Sequence, residues 1–246
     1  MINTGHIKKI MAVVVTVLLV CLFPLNVDAK EDNKTVKVGW YYSKGFQEGG
    51  SDDEYKSGYA YEYLQHIANY TGWEYEYVYG SWGELYDDLL NGDIDILCGM
   101  SYAKEREDLM YFPEYLMGKD SYFLYLDADD YKDVSDNYSQ LSDKTIGVVE
   151  DSYMFDCLNE WLKDNKLECN YEYFNDLYEV EEAFNDGIID GFVSINNNVS
   201  VKEGGMSFNK IGSSDYYIAV SHKRGDLLSE LNNTLKIIFN DYPYFN

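Results

Sequence analysis

The sequence predicts an α/β protein with two lobes of similar plan, and three observations carry that expectation. The first is the stretch from Ser81 to Arg106, SWGELYDDLLNGDIDILCGMSYAKER, which reads as a complete helix, turn, buried strand and polar loop. The second is a looser copy 95 residues on, where a helical face, Gly187, two residues, Asp190 and an apolar strand follow the order of a helix, Gly92, two residues, Asp95 and a strand. Glycine and aspartate are common turn residues, so the spacing gains weight from the helix and strand on either side of it. The third is length: 246 residues suffice for one large or two small domains with a real core.

Within the first unit, Ser81 and Glu84 stand three apart in the form of a capping box, each side chain satisfying a free amide at the helix start. Trp82, Leu85 and Leu89 share one helical face, and Asn91-Gly92 supplies the left-handed residue that closes a helix. Ile94 to Cys98 is a short apolar strand broken only by Asp95, and Gly99-Met100-Ser101 brings the backbone out at its carboxyl end. Ligands gather at that end of the strands in open α/β sheets. Arg106, one of two arginines with Arg224, ends the loop. Its planar fork matches a carboxylate with two parallel hydrogen bonds. Read as a surface residue, it would instead pair with Glu105 or Asp108.

Composition narrows the function classes. Residues 1–29 read as a secretory signal: Lys8 and Lys9 precede an apolar run from Ile10 to Leu25, and Val27-Asp28-Ala29 has the small-x-small form of a cleavage site, with Lys30 as the mature start. The run has 16 residues, short of the roughly 20 a spanning helix needs, though an uncleaved anchor is the other reading. Leu18-Leu19-Val20-Cys21 has the outline of a lipidation site, with Val20 where a small residue belongs. Without residues 1–29, 17 basic and 43 acidic residues give a formal charge of −26, which argues against nucleic acid as a partner. A field of that sign suits a zwitterion or a cation, and an anion would need a local positive site such as Arg106. The 26 tyrosines and a 17% aromatic content argue against disorder. Cys98 reads as a core residue, while Cys157 and Cys169, 12 apart, could pair in an oxidising compartment. No zinc spacing occurs, and with His66 and His222 the only histidines beyond the signal, neither a histidine metal site nor a triad is expected.

Taken in order, Thr35 to Tyr41 reads as the first strand, Gly58 to Tyr70 as a helix with Tyr61, Leu64, Ile67 and Ala68 on one face, and Trp73 to Tyr79 as an alternating second strand. Ser121 to Leu126 is the strand that leaves the first lobe, and Asp127 to Ser139 is a polar surface entry to the second. Lys144 to Val149 is an apolar strand, followed by Glu150-Asp151-Ser152 and a helix through Leu162. Asn170 to Phe174 is the next strand, and Leu177, Val180, Ala183 and Phe184 form the helical face of the second unit. Lys210 to Ser213 and Asp215 to Ser221 read as return strands, and Gly225 to Phe239 as the closing amphipathic helix.

Trp82, Leu85, Leu89, Gly92, Asp95 and the run Gly99-Met100-Ser101-Tyr102-Ala103-Lys104-Glu105-Arg106 resemble the signature of bacterial extracellular solute-binding proteins of family 3, the receptors of polar amino-acid transporters. The resemblance covers roughly residues 35–246, dense in the first half and looser in the second. It implies a two-lobe periplasmic-binding-protein-like fold with a hinge and an interlobe ligand cleft, and no cofactor. Lobe 1 would comprise about residues 35–122 and 216–246, lobe 2 about 123–215, with crossings near Ser121 to Leu126 and Ser213 to Tyr217. It further implies a small polar solute as ligand and an ABC transporter permease or a membrane sensor module as partner. Phe46 takes the place of the aromatic that stacks on the ligand, though a core role suits the same position. Trp82, Gly99, Ser101 and Arg106 take the cleft positions of the signature, and Ser152 keeps a hydroxyl at a helix start, as a ligand contact or as a cap.

Two positions depart from the pattern. Ala103 replaces the threonine that helps hold a ligand carboxylate, and Ile195 stands where the family carries the aspartate that pairs with a ligand amino group. The expectation is therefore a solute with a carboxylate or similar acceptor but no conventionally placed α-ammonium, or only weak binding of free amino acids. A few relatives of this fold are enzymes, but the only acid/base candidates by position are Glu150 and Asp151, and the expectation is a binding protein.

Overall fold

Two triplets of parallel strands, joined by a pair of long antiparallel strands, organise the computed structural model, which describes residues 34–52, 54–195 and 205–243. The first triplet is formed by β1 (Thr35–Trp40), α1 (Tyr59–Thr71), β2 (Glu74–Tyr79), α2 (Trp82–Asn91) and β3 (Ile96–Ser101). β4 (Met110–Tyr111), β5 (Gly118–Asp127) and α3 (Ala128–Asp136) lead out of it. The second triplet is formed by β6 (Thr145–Val149), α4 (Tyr153–Asn165), β7 (Asn170–Phe174), α5 (Leu177–Asn185) and β8 (Gly191–Ile195). β9 (Gly205–Ser221) and α6 (Gly225–Asp241) close the chain. The strand order is β2-β1-β3-β9-β5-β8-β6-β7, with β4 paired to β9, so each triplet hands over to the β9–β5 pair at the centre.

The repeated glycine and aspartate have a structural explanation. Gly92 holds φ 72° and closes α2 in the left-handed conformation that a Cβ disfavours. Three residues on, the Asp95 carboxylate accepts the backbone N–H of Lys37 in β1 at 2.8 Å. In the second lobe Asp190 accepts the N–H of Thr145, at the start of β6, at 2.7 Å. Each aspartate thus satisfies an amide at the beginning of its lobe's central strand, before pairing with β3 or β8 begins.

The apolar residues segregate with the triplets. Val36, Val38, Trp40, Leu64 and Ile67 pack with Leu227, Leu231, Leu235 and Ile238 of α6, so the last helix buries its stripe against the first lobe. Leu124, Ile146, Val148, Leu158, Leu162 and Val193 form a core of the second. The capping box at Ser81 is present: Ser81 N–H donates to Glu84 Oε2 at 2.9 Å and Glu84 N–H to Ser81 Oγ at 3.4 Å.

Several sequence expectations change. The two return strands are one continuous β9, because β5 supplies partners along its length, with register shifts that absorb the irregularities. β3 does not end at Cys98 but runs to Ser101 through a bulge beside Gly99, pairing with Tyr216 and Tyr217 of β9. The polar stretch after Asp127 contains helix α3, whose acidic first turn suits a helix amino terminus and whose Val134 is buried. In α1 the buried face is Ala60, Tyr63, Leu64 and Ile67, with Tyr61 and Ala68 only half-buried. Cys98, Cys157 and Cys169 are all free thiols. The signal sequence expected at residues 1–29 lies outside the described residues.

Candidate functional site

A cavity of about 310 Å³ lies between the two triplets and is lined from both. The first lobe contributes the segment from Tyr41 to Phe46, Trp82, and Gly99 and Ser101 at the end of β3. The second contributes Val149, Ser152 and Tyr153 at the start of α4, Asp176 to Tyr178 at the start of α5, and Ser194 and Ile195 at the end of β8. Asp120, Tyr122 and Tyr216 of the crossing strands line it as well. These are carboxyl ends of parallel strands and amino ends of helices, the positions where open α/β sheets expose backbone groups and side chains to ligands.

Of the residues expected at the site, Phe46, Trp82, Gly99, Ser101 and Ser152 line this cavity and Arg106 does not. Arg106 is buried with 7% of its surface exposed. Its Nη1 donates to the Ser101 carbonyl at 3.1 Å and its Nη2 to the Asp151 carbonyl at 2.9 Å. The guanidinium also sits 5.5 Å from the Tyr86 ring and 6.0 Å from that of Tyr153. It pairs with neither Glu105 nor Asp108; the fork bridges a first-lobe carbonyl and a second-lobe carbonyl. Asp151 holds φ 55°, a left-handed conformation uncommon for a residue with a side chain.

Aromatic rings make up much of the wall. Tyr41 meets Trp82 edge-on at 5.1 Å and Phe46 at 6.4 Å, and Phe46 meets Tyr216 edge-on at 6.0 Å. Phe46 also stacks on Tyr59 of α1 at 6.2 Å, so its ring lines the cavity and packs against the core at once. Trp82 packs on apolar clusters of both lobes, and its Nε1 is buried with no hydrogen-bond partner among the described residues. Gly99 is positioned by close approach: with φ 84°, a Cβ there would stand 2.6 Å from Tyr41 Oη. Ser101 Oγ lies 2.8 Å from Tyr122 Oη, which also bonds Ser214. Ser152 Oγ donates to the Val149 carbonyl at 2.7 Å and accepts the Phe155 N–H at 3.3 Å, so its hydroxyl caps α4 while lining the cavity. At the rim, Tyr42 and Tyr178 meet across the lobes edge to face at 6.4 Å.

The charged wall residues are those that sequence reasoning missed. Asp120, Asp176 and Glu181 line the cavity, with Lys44 the one basic residue among the described lining residues. Asp176 is held by capping α5, accepting the Glu179 N–H at 2.9 Å. The Tyr122 phenol is pushed up to about 12, first by burial, with the Asp120 carboxylate adding to the rise. Burial likewise raises Tyr41 and Tyr216 well above the ordinary phenol value, again with a smaller contribution from Asp120. Asp176 had a signal, since Asp followed three residues on by Glu is an amino-cap pattern. Nothing local to Asp120 or Glu181 points to a cavity. Glu150 and Asp151 are exposed and do not line it. Among the described residues no group of three or more His, Cys, Asp or Glu is placed to hold a metal ion.

Residues 43–244 match the family described as bacterial extracellular solute-binding proteins, family 3. The chain belongs to that family. Solved structures share its two-lobe fold at low identity. A mutant of ArgBP from T. maritima is 19% identical with a TM-score of 0.69, covering 85% of this chain and 91% of its own. A putative L-cystine ABC transporter protein from Listeria monocytogenes is 18% identical with a TM-score of 0.68, covering 85% of this chain and 91% of its own. A histidine kinase sensor domain with similarity to periplasmic binding proteins is 18% identical with a TM-score of 0.67, covering 86% of this chain and 93% of its own. No curated protein matches the sequence. As a family 3 member, the chain has the two-lobe architecture and the solute-binding role of its family. No helix among the described residues is long and apolar enough to cross a membrane.

Proposed function

We propose that this family 3 protein captures a small polar solute between its lobes and delivers it to an ABC transporter. One observation carries the reading: a cavity of about 310 Å³ is lined from both lobes, which are joined by two crossing strands. Two long strands permit a hinge motion while keeping each triplet intact. In this reading lobe 1 is about residues 35–122 and 216–246 and lobe 2 about 123–215, with residues 1–29 directing secretion to the cell surface or periplasm. Phe46, Trp82, Gly99, Ser101 and Ser152 contact the solute. Arg106 acts one layer behind them, tying the lobes through Asp151. The role is capture, with no bond made or broken.

A sensory role is the second reading, favoured by the likeness to a histidine kinase sensor domain over 86% of this chain. Uptake separates the two. Deleting the gene removes uptake of a solute that stabilises the purified protein if it serves a transporter. Intact uptake with loss of the transcriptional response to that solute points to a sensor. Capture itself is checked by scattering: the solute that raises the melting temperature should reduce the radius of gyration or hold it at the closed value.

A further inference from the structure

Resting on solute capture at this cleft, we infer that the ligand is an organic cation without a carboxylate, an amine or quaternary ammonium compound, and not a free amino acid. Three observations converge on that charge class. The first is the state of Arg106: its two terminal nitrogens donate to the carbonyls of Ser101 and Asp151, at 3.1 and 2.9 Å, and it does not line the cavity. Buried at 7% exposure behind the wall, the guanidinium does not present its fork to a ligand there. The second is the sign of the wall, where three carboxylates, Asp120, Asp176 and Glu181, outnumber Lys44, the one basic residue among the described lining residues. The Asp176 carboxylate is fixed in place by capping α5, so this negative charge does not swing away.

The third is the aromatic wall. Trp82, Tyr41, Phe46 and Tyr216 follow one another in ring contact at 5.1, 6.4 and 6.0 Å. Aromatic faces attract cations through the ring quadrupole, and the attraction grows in a desolvated site. The phenols of Tyr41 and Tyr216 are neutral at physiological pH, as an ordinary phenol already is at about 10, and burial raises them further, so the rings act as faces and hydroxyls and not as anions. Ile195 lines the same cavity where an acidic partner for an α-amino group would be expected, so the negative charge sits on the crossing strand and on α5 instead. Carboxylates beside an aromatic wall suit a cation, and among the described lining residues there is no guanidinium to hold a carboxylate with two parallel bonds.

The test is thermal shift and titration calorimetry on the full chain with two sets of probes. One set is choline, ethanolamine, putrescine and agmatine; the other is glutamine, arginine, glutamate and cystine. The expected result is that at least one cation binds tenfold or more tighter than every amino acid. Its Kd should then rise at least fivefold in Asp120→Asn and in Glu181→Gln, either of which suffices if the other fails to fold. An amino acid that binds more tightly than every cation overturns the inference and leaves solute capture standing. Unchanged cation affinity in the carboxylate variants also overturns it. Silence from all eight probes overturns both the inference and the reading of this cavity as the capture site.

Discussion

Arg106 of the first lobe and Asp151 of the second are joined by a 2.9 Å hydrogen bond from Nη2 to the backbone carbonyl, while Nη1 holds the carbonyl of Ser101. A lysine carries a single compact ammonium and cannot span two carbonyls as a planar fork does. Arg106→Lys is therefore expected to lose about 1–3 kcal/mol in urea unfolding, the range for a charged hydrogen bond whose buried partner is left unmade. The same variant should show a larger radius of gyration by solution scattering. Unchanged stability and shape would mean that the bridge contributes nothing.

Asp95 and Asp190 accept equivalent strand amides, but Asp95 also pairs with Arg224 at 2.5 Å. Replacing either by alanine leaves an amide without its acceptor, at a cost of about 1–3 kcal/mol. Asp95→Ala should cost more than Asp190→Ala, because the partly buried Arg224 loses a partner too. Asparagine keeps one acceptor oxygen, so Asp190→Asn should recover most of the loss in denaturant titrations, while Asp95→Asn should recover only the amide's share because its NH2 cannot accept from Arg224. Equal costs for the two alanine variants would exclude a contribution from Arg224.

Gly99 tests the wall directly. Alanine there must adopt φ 84° and place its Cβ 2.6 Å from the Tyr41 hydroxyl. Strained left-handed backbone costs about 1–3 kcal/mol for a residue with a side chain. Gly99→Ala should accordingly lower the melting temperature and weaken binding of whichever probe stabilises the parent protein. Full retention of both would show that the bulge relaxes.

Alkaline pH should destabilise the protein. Burial pushes the Cys98 thiol up to about 12 and those of Cys157 and Cys169 up to about 11. An unfolded thiol titrates near about 8.5. Each folded value lies above the unfolded one, so the contribution is whole below about pH 8.5 and is lost as pH rises through 11 to 12. The buried phenols of Tyr59 and Tyr122, also raised to about 12, add to the loss above about pH 10. A melting temperature that falls between pH 9 and 11, with native Cys98 labelled far more slowly than the urea-unfolded thiol at pH 8, is the expected outcome. A flat profile would contradict it.

What the sequence determined by itself is each unit's local construction. The Ser81–Glu84 capping box, the left-handed Gly92 and the spacing of Leu85 and Leu89 involve residues within a few positions of each other, and those preferences act before any tertiary contact forms. The repeated Gly-x-x-Asp pattern likewise announced two lobes, because each aspartate serves its own lobe's first strand. The tertiary structure decided what lies between the lobes. Ala103 and Ile195 carried the expectation of a changed ligand, but the three carboxylates of the wall come from the crossing strand β5 and from α5, and only the folding of both lobes brings them together. Arg106 was legible as a rare guanidinium near a strand end. Its partner is the carbonyl of a residue 45 positions away, a backbone group that every residue carries and that no side-chain pattern can mark.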